Sequence, residues 1–311
     1  MRIGVDLGGT KIEAIAMATD GSIANRVRVA TPRGDYDATV RAIAGLVDAV
    51  SRNTPQHLPE DLPVGIGIPG TISPATGLIK NANSTWLIGK AFDTDLEAAM
   101  KRPVRLANDA DCFALSEAAD GAGSGARSVF GVILGTGVGG GLVINGGLLH
   151  GPNAIAGEWG HNPLPWPKTN ELPGPQCYCG KSGCIETWLS GPALEREAAR
   201  NEMPLVGAPE LAARAADGDT KAAALLDQYL DRLARALATV INVVDPETIV
   251  LGGGLSAIPQ LYQAIPRRWG PHIFSDAVAT KLVQNKHGDS SGVRGAAWLW
   301  PEAENRQIGG R

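Results

Sequence analysis

Aromatic residues are scarce, 5% of the 311 residues, while the chain holds 40 glycines and 21 prolines. That imbalance points to many tight turns and close backbone approaches, yet an apolar content of 44% excludes a disordered or collagen-like chain. Charge of either sign is not in excess: 28 basic against 32 acidic side chains leave a net −4. The chain is too neutral for a nucleic-acid footprint, so no nucleic-acid partner is expected. No apolar run of 18 residues free of charge occurs, so no membrane partner is expected either. Asp6 stands where a signal peptide would need apolar residues, and the expected compartment is the cytoplasm. Only four cysteines are present, Cys112, Cys177, Cys179 and Cys184. The last three are too crowded for mutual disulfides and suit a metal better. At this length about three quarters of the unfolded surface is buried on folding, so one large or two medium cores form without covalent staples.

The chain opens as a meander: strand 2–7, a turn at Gly8-Gly9-Thr10-Lys11, strand 12–17, a turn at Asp20-Gly21 and strand 22–30. Helical spacing follows in Val40, Ile43, Val47 and Val50. Then come strand 64–68, a helix at 92–101, strand 104–107 and a helix at 110–119. The small-residue stretch 120–126 marks a boundary. Beyond it the pattern repeats with strand 128–134, the turn Gly135-Thr-Gly-Val-Gly139 and strand 141–144. A long helix carries Leu226, Tyr229, Leu233, Leu237 and Val240 on one face. Strand 248–251, the turn Gly252-Gly253-Gly254 and a helix at 257–267 complete the echo, enlarged by an insertion at about 145–205. The expected organisation is a small α/β domain at 1–119, joined by a C-terminal helix at 293–303, and a large α/β domain at 120–292. A ligand cleft is expected between them. The last residues, 307–311, are expected to fray.

Three glycine turns each follow an apolar strand: at Gly8 and Gly9, at Gly135 to Gly139, and at Gly252 to Gly254. Glycine lets successive N–H groups point into one concavity and admits a phosphate to the backbone. Thr10 adds a hydroxyl, and Asp6 at the strand edge can hold hydrated Mg²⁺ or simply cap the turn. Hairpin or helix-cap use of the glycines is the alternative. Two bare G-x-G-x-x-G matches, at Gly65 and Gly135, do not open helices, so neither is a Rossmann site. Gly4 to Lys11 lacks the Gly-Lys-[Ser/Thr] ending of a P-loop.

Asp109 lies where a strand meets a helix, a placement that serves a general base but equally an ordinary N-cap. Cys177, Cys179 and Cys184 offer three soft ligands in a glycine-bearing loop, and His161 is the nearest upstream histidine for a fourth position. Three reduced buried thiols are the alternative. Trp86, Trp159, Trp166 and Trp188 fall around these loops, where packing is a stronger reading than sugar stacking.

Asp6-Leu-Gly-Gly-Thr-Lys11, Gly157-Glu-Trp-Gly-His161 and Cys177-Tyr-Cys-Gly-Lys-Ser-Gly-Cys-Ile-Glu186 together resemble the ROK family of bacterial sugar kinases and sugar-responsive repressors, over residues 2 to about 302. The resemblance implies a duplicated actin-like, ribonuclease-H-like α/β fold with a zinc-binding loop, ATP with Mg²⁺ as donor, a structural Zn²⁺ on His161, Cys177, Cys179 and Cys184, and a homodimer. It further implies Asp109 as base and a hexose site at Asn83, Asn108, Asp109, Glu158, His161 and Glu186. Donor contacts are expected from Asp6, Gly8, Gly9, Thr10, Lys11, Gly135, Thr136, Gly137, Gly253 and Gly254. Stretches 80–86, 157–166 and 286–300 most resemble the family's fructokinases, so fructose is the expected acceptor and fructose 6-phosphate the product. Glucose, mannose and N-acetylhexosamines are the alternatives. The repressor branch carries a helix-turn-helix in front, and with a phosphate strand starting at residue 2 a repressor is not expected.

Overall fold

The computed structural model describes residues 1–54, 58–203 and 207–301. The chain divides into two compact units: Met1–Gly121, Gly147–Ala156 and the described part of Asp289–Arg311 in one, Ala122–Gly146 and Gly157–Gly288 in the other. The segment Gly147–Ala156, from within the expected large domain, thus packs with the first unit.

The first unit is built on a five-stranded sheet in the order Ile23–Ala30, Lys11–Met17, Arg2–Leu7, Val64–Ile68, Val104–Asn108. The first three strands are antiparallel hairpin neighbours, and the last three run parallel. A strand covered on both faces reads as a continuous apolar run, and Val64–Ile68 is buried at every position. One cover is the helix Tyr36–Arg52, capped by Asp35, whose side chain accepts from the Ala38 N–H. It buries Ile43, Leu46, Val47 and Val50, each contributing about 2 kcal/mol of apolar burial as an upper estimate.

The other cover is the helix Ser291–Trp298, whose backbone lies directly on the sheet. Gly4 and Gly65 face each other across the parallel pair. A Cβ at Gly4 would collide with the Val293 carbonyl and the Ala297 N–H, and one at Gly65 with the Ala296 carbonyl. Gly295 makes the same close approach to Cys112 of the helix Asp109–Ala119. The expected C-terminal helix therefore forms over 291–298 rather than 293–303; residues 302, 303 and the expected frayed tail lie outside the described residues.

The second unit repeats the scheme. Ser128–Leu134 turns antiparallel into Val138–Ile144 and runs parallel to Thr248–Gly252, which pairs in parallel with Lys281–Gln284. The long helix Thr220–Val244 is capped by Asp219 and buries Leu226, Tyr229, Leu233 and Leu237, as the spacing predicts. After the third glycine turn the helix begins at Leu261, not Ala257. Ile258 precedes Pro259 and is held extended at φ −72°, ψ 109°, which stops the chain from entering a helix there. Two mixed sheets with the same strand–glycine turn–strand opening form the duplicated α/β fold that the resemblance implies. Among the described residues, no helix is long and apolar enough to cross a membrane.

Candidate active site and metal loop

In an open sheet, ligands bind beyond the carboxyl ends of parallel strands. In the first unit those ends carry Asp6, Gly70 and Asn108, since Asp6 pairs with Gly67 and Ile68 with Asn108. Gly8 donates its N–H to the Lys11 carbonyl at 3.0 Å, closing the hairpin. Thr31 holds the Gly8 carbonyl at 2.7 Å, and Arg33 donates to the Gly9 carbonyl. Gly9, Thr10 and Lys11 are left at the exposed tip of the turn.

Asp6 is half-buried under glycines from distant parts of the chain: a Cβ at Gly292 would lie 3.3 Å from its carboxylate and one at Gly67 3.5 Å. Burial, then the negative charges of Asp109 and Glu13, push its pKa up to about 7, with Lys11 opposing. Asn108, not Asp109, is the N-cap of the helix Asp109–Ala119; its Oδ1 accepts from the Ala110 N–H at 2.9 Å and its Nδ2 donates to the Gly70 carbonyl at 3.4 Å. Asp109 is the first helical residue and is exposed, with one oxygen accepting from the Ala110 N–H at 2.8 Å. The exposed Asn83 is fixed to the same loop by its N–H, 3.1 Å from the Pro69 carbonyl. Asp6, Asn83, Asn108 and Asp109 therefore share one end of one sheet. Excess negative charge beside a glycine turn suits a hard divalent cation bound through oxygen.

In the second unit, the turns at Gly135 to Gly137 and Gly252 to Gly254 end neighbouring parallel strands, with Gly252 opposite Ile133. Gly253 takes φ +80° with no room for a Cβ against the Leu134 carbonyl, so only glycine lets the two turns nest. Glu186 belongs to this turn: its Oε2 accepts from the Val138 N–H at 3.0 Å, and a Cβ at Gly137 would stand 2.7 Å from it. Gly157 to His161 lies along the adjoining strand, because Gly157 packs on the Gly140 backbone and Gly160 on the Val138 carbonyl. Trp159 locks this loop by donating to the Gly139 carbonyl at 3.0 Å. The exposed Glu158 and the half-buried His161 are thereby held near the glycine turn.

His161, Cys177, Cys179 and Cys184 place their ligand atoms within 4.8 Å of one another. His161 Nδ1 is 3.5 Å from Cys177 Sγ, and Cys179 Sγ is 3.6 Å from Cys184 Sγ. The edges of a tetrahedral zinc site with sulfur and nitrogen ligands are about 3.5–3.8 Å, so the donor set fits Zn²⁺ in both chemistry and size. Four protein ligands leave no open position, which makes such a site structural.

Three features escape a reading of the sequence. Tyr178, between two of the cysteines, holds its hydroxyl 2.9 Å from His161 Nε2, the ring nitrogen on the side away from Cys177 Sγ. Gly67 and Gly292 clear the space around Asp6. The tryptophans do not gather around one site: Trp86 bonds Thr39 in the first unit, Trp159 and Trp188 are buried in the second, and Trp166 is exposed and stacked on His272. The position of Tyr178 inside the cysteine run was the available signal for the first; nothing local signals the other two.

Comparison with known proteins decides the family. The profile of the ROK family matches residues 2–303. The chain belongs to the ROK family. Among its ROK relatives, an N-acetyl-D-glucosamine kinase of Photobacterium profundum is 42% identical over 303 residues, covering 96% of this chain and 99% of that one. The ROK hexokinase of Thermus thermophilus superposes with a TM-score of 0.82 at 31% identity, covering 96% of each chain. A ROK family glucokinase of Streptomyces griseus, solved in complex with glucose and AMPPNP, gives 0.75 at 28% identity, covering 96% of this chain and 98% of that one.

Proposed function

We propose that this ROK sugar kinase transfers the γ-phosphoryl group of ATP to N-acetyl-D-glucosamine, with Asp109 as general base. What carries the reaction is the pairing of an exposed carboxylate at a helix start, Asp109, with the half-buried Asp6 on the same sheet end, beside a glycine turn. Asp109 takes the proton of the attacking sugar hydroxyl as the new O–P bond forms and the bond from the γ-phosphorus to ADP breaks. Asp6 holds hydrated Mg²⁺, which supplies positive charge to the phosphoryl oxygens. Gly8 and Gly135 use their own N–H groups to close the glycine turns, and we assign Gly9, Thr10 and Lys11, and Thr136 and Gly137, to the phosphates and Gly253 and Gly254 to the nucleoside side. Asn83, Asn108, Glu158, His161 and Glu186 line the acceptor. Asn108 has both ends of its amide on backbone groups, so it contributes chiefly by holding the turn before Asp109. Zn²⁺ on His161, Cys177, Cys179 and Cys184 fixes the loop between Glu158 and Glu186.

The acceptor rests on the relatives named N-acetyl-D-glucosamine kinases, which span nearly the whole chain. Fructose, favoured by the sequence stretches, is the second acceptor to test. A coupled assay with Mg-ATP should give the highest kcat/KM for N-acetylglucosamine among that sugar, fructose, glucose and mannose; a higher value for fructose would reverse the assignment. Asp109→Asn should lose several orders of magnitude in kcat with acceptor affinity largely kept, and a variant retaining above about a tenth of turnover would refute the base. The reading includes the cytoplasm as compartment and a homodimer, and the exposed apolar side chains of Phe274, Val243 and Trp166 on the second unit support the dimer alone. Sedimentation should return twice the chain mass, and a monomer at micromolar concentration would count against it.

A further inference from the structure

The chain from His161 to Cys177 has little regular structure: the short turn Thr169–Glu171 and single bridges from Pro163 to Cys184 and from Gln176 to Ser182. It is nonetheless tied at several points to one charged cluster on the long helix Thr220–Val244. Arg235 is 1% exposed. Its Nη1 donates to the Pro165 carbonyl at 2.8 Å and the Trp166 carbonyl at 2.9 Å, while its Nη2 reaches both oxygens of Glu171 at 2.8 and 2.9 Å. Glu171 Oε2 also accepts from the Lys168 N–H at 2.8 Å, and Glu171 Oε1 accepts from Arg232 Nε at 2.9 Å. Arg232 reaches Glu197 at 3.3 Å and lies over the Trp188 ring, 4.3 Å from its centroid. Asp231 joins Lys168 at 2.9 Å and Arg235 at 3.1 Å.

Glu171, Asp231 and Glu197 face Lys168, Arg232 and Arg235, and Glu197 also pairs with Arg200 at 2.8 Å, so each carboxylate of the cluster meets two cations. Burial alone would raise the Glu171 carboxyl, but Arg235, the Lys168 N–H and Arg232 hold it below the ordinary range. A buried ion pair is a poor source of stability, since apolar side chains of the same volume often serve as well. Those side chains cannot donate to two carbonyls of an irregular loop; Pro165 is half-buried and Trp166 exposed, so carbonyls released from Arg235 can turn to water, and the loop then loses its place at little cost to the fold. Two anchors lie close to residues of the acceptor side, Pro165 four residues after His161 and Trp188 two after Glu186, and a third, Glu171, lies six before the metal-loop Cys177.

We propose that Arg235, paired with Glu171, is a positioning residue for the acceptor sugar: it clamps the loop between His161 and Cys177 to the long helix and so sets the acceptor KM. This rests on the reading of Glu158 to Glu186 as the acceptor side. The double variant Arg235→Met/Glu171→Met removes both charges while keeping apolar volume, so it separates fold stability from loop position. It is expected to melt near the wild-type temperature yet show an acceptor KM raised on the order of tenfold, with the KM for ATP unchanged. Arg235→Lys keeps the charge but loses the planar fork, and should raise the acceptor KM without rescue to the wild-type value. A folded variant of either kind with a wild-type acceptor KM, or with an equal rise in the KM for ATP, overturns the proposal. Glu158→Gln in the same series tests the underlying reading. If it leaves the acceptor KM unchanged, that reading falls and the clamp with it. If it raises the acceptor KM and the Arg235 variants do not, the clamp alone falls.

Discussion

A carboxyl that stays protonated to about pH 7, as Asp6 does, weakens the fold at higher pH whenever no cation compensates it. Its folded pKa exceeds the ordinary aspartate value of 3.8, so its contribution to stability is fully present below about pH 4 and is lost as pH rises through 7. Asp6→Asn removes that loss. The variant should exceed the wild type by roughly 2–4 kcal/mol at pH 8 without Mg²⁺, with the gap closing toward pH 4, and thermal melts at the two pH values check it. A less stable variant at pH 8 would overturn the account. The same substitution should lower turnover and raise the Mg²⁺ concentration needed for half-maximal rate, because a neutral amide is a poor ligand for a hard cation. Asp6 could be picked out from its place between an apolar strand and two glycines. Its raised pKa could not, since Gly67 and Gly292, which enclose it, come from remote segments.

Among the elements, His161, Cys177, Cys179 and Cys184 do converge, as the family resemblance implied, because soft-ligand chemistry is written in residue type. What their spacing could not convey is that the glycine turn also receives the Glu186 carboxylate at Val138, a contact made in three dimensions across the insertion. Helix boundaries were blurred for a local reason, as the extended Ile258 before Pro259 illustrates. If zinc holds this loop, chelation should remove about one ion per chain together with acceptor binding, measured by elemental analysis and calorimetry on one sample. Full sugar binding by verified metal-free protein would reject the structural role.

For the molecule as a whole, the repeat of strand, glycine turn and strand was legible, because both halves write the same alternation of apolar runs and glycine turns. The threading was less so: the first unit takes back Gly147–Ala156 and the helix Ser291–Trp298 after the chain has formed the other unit's strands. That helix fills what Gly4 and Gly65 leave open, so the first sheet is incomplete without it. A chain ending at Gly288 should therefore keep the second unit and lose the first. Limited proteolysis should then cut throughout residues 1–121, and resistance there would show the helix to be dispensable. The threading also has a temporal side. Translation at about 5–20 residues per second leaves the opening strands waiting roughly fifteen to sixty seconds for their last helix. During that interval their unroofed apolar face is a natural docking place for a chaperone at the ribosome.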